Sequence, residues 1–356
     1  MSLKLEYDSA NMYNILLNFP AQIREAIEIG KRIDVNTRDG FRNIVYCGMG
    51  GSAISGDFVK NLLRDKIEVP FEVVRSYNLP GYVNDRTLVI LVSYSGNTEE
   101  TLSCFYDAIK RGAYIACISS NGKIEKEFHA LNDKGKALSF VKIPSGYPPR
   151  TAFGYLFVTL LYLLIKLGYA EKNLLDDLNV ALEHLKGCSE RFSVENSPNY
   201  AYELALSLMN RLPVIYGSAG GTDVIARRWT TQFSENSKIL AYYNALPEMN
   251  HNEIVGWENL DSVLKNINVV FLKDEDDNPR VKLRQNITKS LLIKDNEPLP
   301  NKIVEVVSKG ANKLDRWLYL VYLGDFVSWY LAILYDTDPT PVERIDMLKK
   351  SLAKEN

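Results

Sequence analysis

Histidine and cysteine are scarce in this chain, and neither sign of charge dominates it. The 356 residues hold three histidines and four cysteines. No two of Cys47, Cys104, Cys117 and Cys188 stand in a CxxC spacing, so no metal site is expected. Cys47 and Cys117 fall inside apolar runs and read as reduced core residues, as in a cytoplasmic protein. The formal net charge is −2, which gives no basic footprint for nucleic acid. The opening residues, MSLKLEYDSANMY, lack the apolar core of a signal peptide. The most apolar stretch, Thr151 to Tyr169, contains Lys166 and falls short of the ~20 residues of a membrane span. It is expected as a helix buried between two domains, and no membrane contact is expected. Low-complexity segments are also missing.

What is present is an alternation of apolar strands and amphipathic helices, starting near residue 43. NIVYCG is followed by a helical pattern, then FEVVRSYN, TLVILVSYS, the helical TEETLSCFYDAIKRG, YIACISS and LSFVKIPSG. Continuous apolar strands separated by helices predict a parallel sheet covered on both faces. Five of them predict an α/β, flavodoxin-like, doubly wound domain. The pattern restarts later. Arg211 to Trp229, RLPVIYGSAGGTDVIARRW, echoes Arg42 to Val59, RNIVYCGMGGSAISGDFV. Strands are expected again at SKILAYY and INVVFL. An internal duplication follows: a first domain over 1–150, linking helices over 151–200, and a second domain over 201–356.

Two loops of the first domain carry the chemistry. GMGGSA, Gly48 to Ala53, matches the dinucleotide pattern G-x-G-x-x-A. A nicotinamide enzyme would want an acidic residue at the end of the second strand, which here ends in Arg75 and Ser76. That weakens the nucleotide reading. SYSGNTEET, Ser93 to Thr101, places four hydroxyls at the end of a buried strand. In a doubly wound sheet both loops lie on the carboxyl edge, where helix amino termini favour anions. Gly50, Gly51, Ser52, Ser93, Ser95 and Thr98 are therefore candidates to hold a phosphate. The plainer alternative is that Asn97 or Ser95 merely caps the next helix. In the second copy the matching strand end reads FLKDEDDNPR. Its four carboxylates would repel a phosphate, so the anion site is expected in the first domain alone.

The remaining candidates are more scattered. Glu235 falls in the last turn of the helix that starts near Thr222. Thirteen residues at 1.5 Å rise put it about 20 Å from its own glycine turn, so it is expected to serve the first domain's loop. A solvated surface glutamate is the bland reading. Among the histidines, His129 and His184 sit in charged helical stretches, whereas His251 lies in the polar insertion PEMNHNEIVGW. That is where a functional histidine would be found. Arg150, at the start of the long apolar helix, is either a phosphate clamp or an ordinary exposed arginine.

GMGGSAISGD, SYSGNTEET, PSGYPPRTAFGY, RRWTTQFSENSK, PEMNHNEIVG and YLGDFVSWYLAILYDTDPTPV together resemble the bifunctional phosphoglucose/phosphomannose isomerases. These belong to the sugar-isomerase (SIS) domain superfamily. The resemblance covers residues 40–349. FSENSK and MNHNEIVG are its more specific parts, while TTQF and RWLYLVYLGDF depart from the expected polar pattern. The resemblance implies two SIS domains. It implies that Ser52, Ser93, Ser95 and Thr98 hold the sugar phosphate, with Arg150 in the site. It implies Glu235 as base and His251 as the ring-opening residue, supplied by the other subunit of a homodimer. Thr340 and Lys349 are the nearest matches to two further substrate-approaching residues, with Lys350 competing for the second place. No cofactor is implied. The implied activity interconverts glucose 6-phosphate and mannose 6-phosphate with fructose 6-phosphate, in glycolysis and gluconeogenesis. The alternatives are another SIS enzyme acting on amino-sugar phosphates and a non-catalytic sugar-phosphate sensor. A DNA-linked sensor would carry a basic helix-turn-helix, and none is legible in the first 40 residues.

Overall fold

The apolar runs become parallel strands buried along most of their length. In the computed structural model, β1 (Asn43–Cys47), β2 (Phe71–Val74), β3 (Thr87–Val92), β4 (Tyr114–Ser119) and β5 (Ala137–Lys142) form one parallel sheet. Its order is β2-β1-β3-β4-β5, the flavodoxin-like order. All six residues of β3 and of β4 are buried, as strands covered on both faces require. A second parallel sheet joins β6 (Leu212–Ser218), β7 (Tyr242–Leu246) and β8 (Ile267–Lys273) to a later strand, Lys302–Val307. Between these lies a small antiparallel pair, β9 (Ile293–Lys294) and β10 (Glu297–Pro298), so the later strand is β11. The order β11-β8-β6-β7 repeats that of the first four strands of the first sheet. The structure describes residues 3–36, 40–131, 135–294 and 297–355.

The chain divides into two compact units. The first comprises Asn18–Lys186 and Gly310–Arg316, and the second comprises Met1–Leu17, Gly187–Lys309 and Trp317–Asn356. The helices are α1 (Met12–Leu17), α2 (Phe19–Arg32), α3 (Gly50–Leu62), α4 (Glu99–Lys110), α5 (Lys123–His129), α6 (Phe153–Lys166) and α7 (Leu174–Arg191). They continue with α8 (Tyr200–Leu208), α9 (Asp223–Asn236), α10 (Asp261–Leu264), α11 (Pro279–Leu291), α12 (Lys313–Leu334) and α13 (Glu343–Leu352). The apolar helix α6 is buried from Phe153 to Ile165 and packs on α2 and α3 within the first unit. Residues 151–186, read from the sequence as linking helices, thus belong to that unit. Among the described residues one helix, α12, is long and apolar enough to cross a membrane, and its apolar window is wholly buried inside the protein.

One strand differs from its expected place. The sequence predicts a strand over SKILAYY, Ser237 to Tyr243, yet β7 begins only at Tyr242. Lys238 takes the left-handed conformation with φ of 58°, which ends α9 and turns the chain. Leu240 is 82 % exposed, so the apolar pair Ile239–Leu240 does not enter the sheet.

Candidate active site

In the first unit, β1 and β3 are adjacent, and their carboxyl-end loops meet through named bonds. Helix α3 starts without a side-chain cap at Met49. Gly50 is exposed, Gly51 half-buried and Ser52 buried. The Ser52 Oγ accepts the backbone N–H of Tyr94 at 3.3 Å, tying the glycine turn to the hydroxyl loop. Within that loop the buried Ser93 Oγ is hydrogen-bonded to Thr98 Oγ1 at 2.8 Å. Thr98 is the N-cap of α4 but makes no side-chain cap bond. Nor do Ser95 and Asn97 cap the helix. The exposed Ser95 Oγ accepts the Asn97 N–H at 3.3 Å, and Asn97 Oδ1 accepts the Lys123 N–H at 2.9 Å. The first turn of α4 is left with unfilled N–H donors beside three hydroxyls, a ready setting for an anion.

The loop is held from behind by residues absent from the sequence-derived candidates. Ser119 Oγ donates to Ser93 O at 2.6 Å and Ser120 Oγ to Tyr94 O at 2.6 Å. Both serines are buried at the end of β4. Gly96 has φ of 68°, and a Cβ there would fall 1.6 Å from the Asn121 carbonyl oxygen. Only glycine fits this contact. The signal was legible in part: a strand ending in two serines beside β3 is a natural brace for a β3 loop.

Tyr94 also ties this loop to residues 144–147, which precede Arg150. Its O–H donates to Pro144 O at 3.1 Å and accepts the Tyr147 N–H at 2.9 Å. Burial pushes the phenol upward from its ordinary value, so it keeps its proton and remains a donor. Arg150 itself is 3 % exposed. A Cβ on Gly51 would lie 3.0 Å from Pro149 O and 3.1 Å from the Arg150 Cα. The glycine turn and the arginine turn therefore pack backbone to backbone. Ser52, Ser93 and Thr98 are brought together beside Tyr94, the backbone of Arg150 lies against Gly51, and Gly50 and Ser95 are exposed.

The second unit holds the other candidates. Helix α9 is riveted to α12 along its length. Trp229 Nε1 donates to Leu320 O at 2.9 Å. Arg228 Nη2 meets both carboxylate oxygens of Asp325, at 2.9 and 2.8 Å, and Gln232 Nε2 donates to Asp325 Oδ1 at 2.8 Å. Burial pushes the Asp325 carboxyl upward, and Arg228 and Gln232 oppose that shift. At the helix end, Asn236 Nδ2 donates to Ser328 Oγ at 2.9 Å and Ser237 Oγ to Ser328 O at 2.7 Å. These bonds fix the last turn, where Glu235 is half-buried. The segments that depart from the expected polar pattern, TTQF and RWLYLVYLGDF, take part in this seam.

His251 ends a short 3-10 turn, Glu248–His251, and is exposed. The turn is anchored by its neighbour, since Asn250 Nδ2 donates to Thr288 Oγ1 of α11 at 2.8 Å. Thr340 follows Pro339, whose carbonyl accepts Lys238 Nζ at 3.2 Å, and so lies in the segment joined to the end of α9. Lys349 and Lys350 are both exposed on α13, a helix with no buried residue.

The acidic loop after β8 is not the uniform surface of four carboxylates that its sequence suggests. Asp274 and Asp277 are buried, while Glu275 and Asp276 are exposed. Asp277 Oδ2 accepts the Asp274 N–H at 2.9 Å and Gln285 Nε2 at 3.3 Å. Burial pushes this carboxyl upward from its ordinary value, and a hydrogen bond from Ser218 is among the effects that lower it. Asp277 Oδ1 lies 3.8 Å from where a Gly221 Cβ would be. A buried carboxyl of the same domain thus lies beside the second glycine turn.

Comparison with known proteins places the chain among relatives. The family model for the bacterial phosphoglucose isomerase C-terminal SIS domain matches residues 197–352. The bifunctional phosphoglucose/phosphomannose isomerase of Caldicellulosiruptor bescii is 44 % identical over 346 residues, 96 % of this chain and 99 % of that protein. The protein of the same name from Aquifex aeolicus is 41 % identical, over 88 % of this chain and 91 % of its own length. The fold matches that of the tagatose-6-phosphate ketose/aldose isomerase of Escherichia coli with a TM-score of 0.64 at 15 % identity, over 94 % of this chain and 97 % of that one. On the extent of these matches, the chain belongs to the family of bifunctional phosphoglucose/phosphomannose isomerases.

Proposed function

We propose that this protein interconverts glucose 6-phosphate and mannose 6-phosphate with fructose 6-phosphate through a cis-enediol. The observation that carries the reading is the pairing of Ser93 with Thr98 at the uncapped start of α4. It offers hydroxyl and backbone donors to one phosphate. In this reading the first domain holds the sugar phosphate through Gly50, Gly51, Ser52, Ser93, Ser95 and Thr98, with Arg150 as a clamp. The second domain supplies the catalytic groups. His251 passes a proton between the ring oxygen and O1, which opens the hexose ring. Glu235 then takes the proton from C2 and returns it to C1, while O1 gains a proton and the O2 hydroxyl gives one up, so that the carbonyl passes from C1 to C2. A planar enediol loses the configuration at C2, so one base serves both epimers. Thr340 and Lys349 approach the substrate in supporting roles.

His251 is exposed in its own chain, which supports its assignment to the other subunit of a homodimer. The four free, buried cysteines support a reducing compartment, and the cytoplasm is the one proposed, with the enzyme placed in glycolysis and gluconeogenesis. The test is a coupled spectrophotometric assay of fructose 6-phosphate formation from each hexose phosphate. Turnover of both substrates supports the reading. Turnover of an amino-sugar phosphate alone, or binding without turnover, would replace it with one of the two alternatives.

A further inference from the structure

The end of α9 carries a residue that the proposed chemistry has not yet used. The last carbonyls of a helix have no partners within it. Here Lys238 folds back on them. Its Nζ donates to Glu235 O at 2.6 Å, to Asn236 O at 3.4 Å and to Pro339 O at 3.2 Å. An ammonium has three protons to give, and these three carbonyls match that number. One ammonium thereby joins the turn that bears Glu235 to the residue that precedes Thr340.

The backbone of Lys238 makes the side chain conspicuous. Its φ is 58°, the conformation in which glycine and asparagine usually end helices. Glycine would close α9 there without the crowding that a Cβ brings. A lysine in that place uses an unfavourable backbone to aim an ammonium. The positive charge also sits at the negative end of the helix dipole, beside the carbonyl of Glu235. The neighbouring bonds of Asn236 and Ser237 to Ser328 tie the turn to α12, whereas the Lys238 bridge ties it to the Thr340 segment.

We infer that Lys238 is a positioning residue for the isomerisation, holding Glu235 and Thr340 in a fixed mutual arrangement. The inference rests on the assignment of Glu235 as the base. The decisive variant is Lys238→Gly, which keeps the helix terminator and removes the ammonium. Its melting temperature should match or exceed that of the parent. Its kcat should fall about 10- to 100-fold, the loss that a displaced catalytic group brings. KM for glucose 6-phosphate and for mannose 6-phosphate should stay within about twofold, because the phosphate cradle in the other domain is untouched.

Lys238→Cys gives the complementary arm. It should show the same fall, and treatment with 2-bromoethylamine, which rebuilds a side chain ending in an ammonium, should restore most of the rate. The native thiols are buried, and the treated parent controls for them. A Lys238→Gly enzyme with the parental kcat, measured beside an inactive Glu235→Gln enzyme, overturns the role of Lys238. So does a Lys238→Cys enzyme that stays slow after aminoethylation. An active Glu235→Gln enzyme overturns instead the base assignment beneath it.

Discussion

Ser93 Oγ and Thr98 Oγ1 stand 2.8 Å apart, although five residues separate them in the chain. Ser93 follows the last residue of β3, and Thr98 precedes the first residue of α4. The loop closes on itself, so that strand end and helix start share one hydroxyl pair. Each lone hydroxyl is a weak anion ligand. A closed pair beside free helix N–H groups is pre-ordered, and the ordering cost is met by folding rather than by binding.

The first prediction follows from that arrangement. Ser95→Ala combined with Thr98→Ala removes one exposed hydroxyl and one from the pair. A hydrogen bond to an ionised partner is worth about 1.5–3 kcal/mol. KM for both hexose phosphates should therefore rise tenfold or more per lost bond, on the order of magnitude that free energy gives. The melting curve should hold. Glu275→Gln with Asp276→Asn is the control, since both side chains are exposed on the acidic loop. Should that control raise KM and the hydroxyl variant not, the phosphate would belong to the second domain.

Glu235→Gln keeps the shape of the side chain and removes its capacity to accept a proton. Loss of a positioned base costs about 10²–10⁴ in rate. The loss should be equal for glucose 6-phosphate and mannose 6-phosphate, with substrate binding nearly unchanged. Isothermal titration against steady-state rates measures both. A variant that kept one activity and lost the other would require a second base.

The third prediction concerns stability. Arg228 and Asp325 are 2 % and 4 % exposed and are paired through two short bonds. Removing one partner of a buried pair leaves an uncompensated charge and costs about 3–5 kcal/mol. Asp325→Asn should lower the urea midpoint accordingly. Arg228→Met with Asp325→Leu should cost much less, because no charge is stranded. If the single and double variants were equally destabilised, the pair would be acting through packing alone.

The first sheet and part of the second were legible because fully buried parallel strands are unbroken apolar runs between helices. YIACIS and INVVFL are such runs. KIVEVV escaped, since its burial is intermediate at three positions and its apolar run is interrupted by Glu305. SKILAYY misleads for the opposite reason: it is apolar without being buried, and the turn at Lys238 cannot be read from residue types, because lysine does not announce a left-handed backbone. The hydroxyl loop was legible from its composition. Its braces at Ser119 and Ser120 were legible only as a pair of serines ending a strand, because they act through carbonyls of a neighbouring strand loop. Asp277 reads in sequence as a repelling surface charge, yet its carboxyl is buried and hydrogen-bonded within its own domain. Sequence gives the sign of a charge, and burial decides which group it meets.

The last prediction tests whether two chains build each site. His251 is exposed, and its turn is fixed to α11 through Asn250, so the imidazole is presented to solvent in the isolated chain. Take a Glu235→Gln chain and a His251→Ala chain, each nearly inactive alone, and refold or co-express them together. In a two-fold dimer both copies use the same surface. With His251 acting in trans, a mixed dimer has one site with both defects and one site with neither. Random mixing makes about half of the dimers mixed, so about a quarter of all sites are intact. Activity should recover to about a quarter of the parental value, and it should track the fraction of mixed dimer isolated by differential tagging. If Glu235 and His251 instead act from one chain, every site in every dimer carries one defect. Mixing would then leave activity at the level of the single variants, and the assignment of His251 to the partner subunit would have to be abandoned.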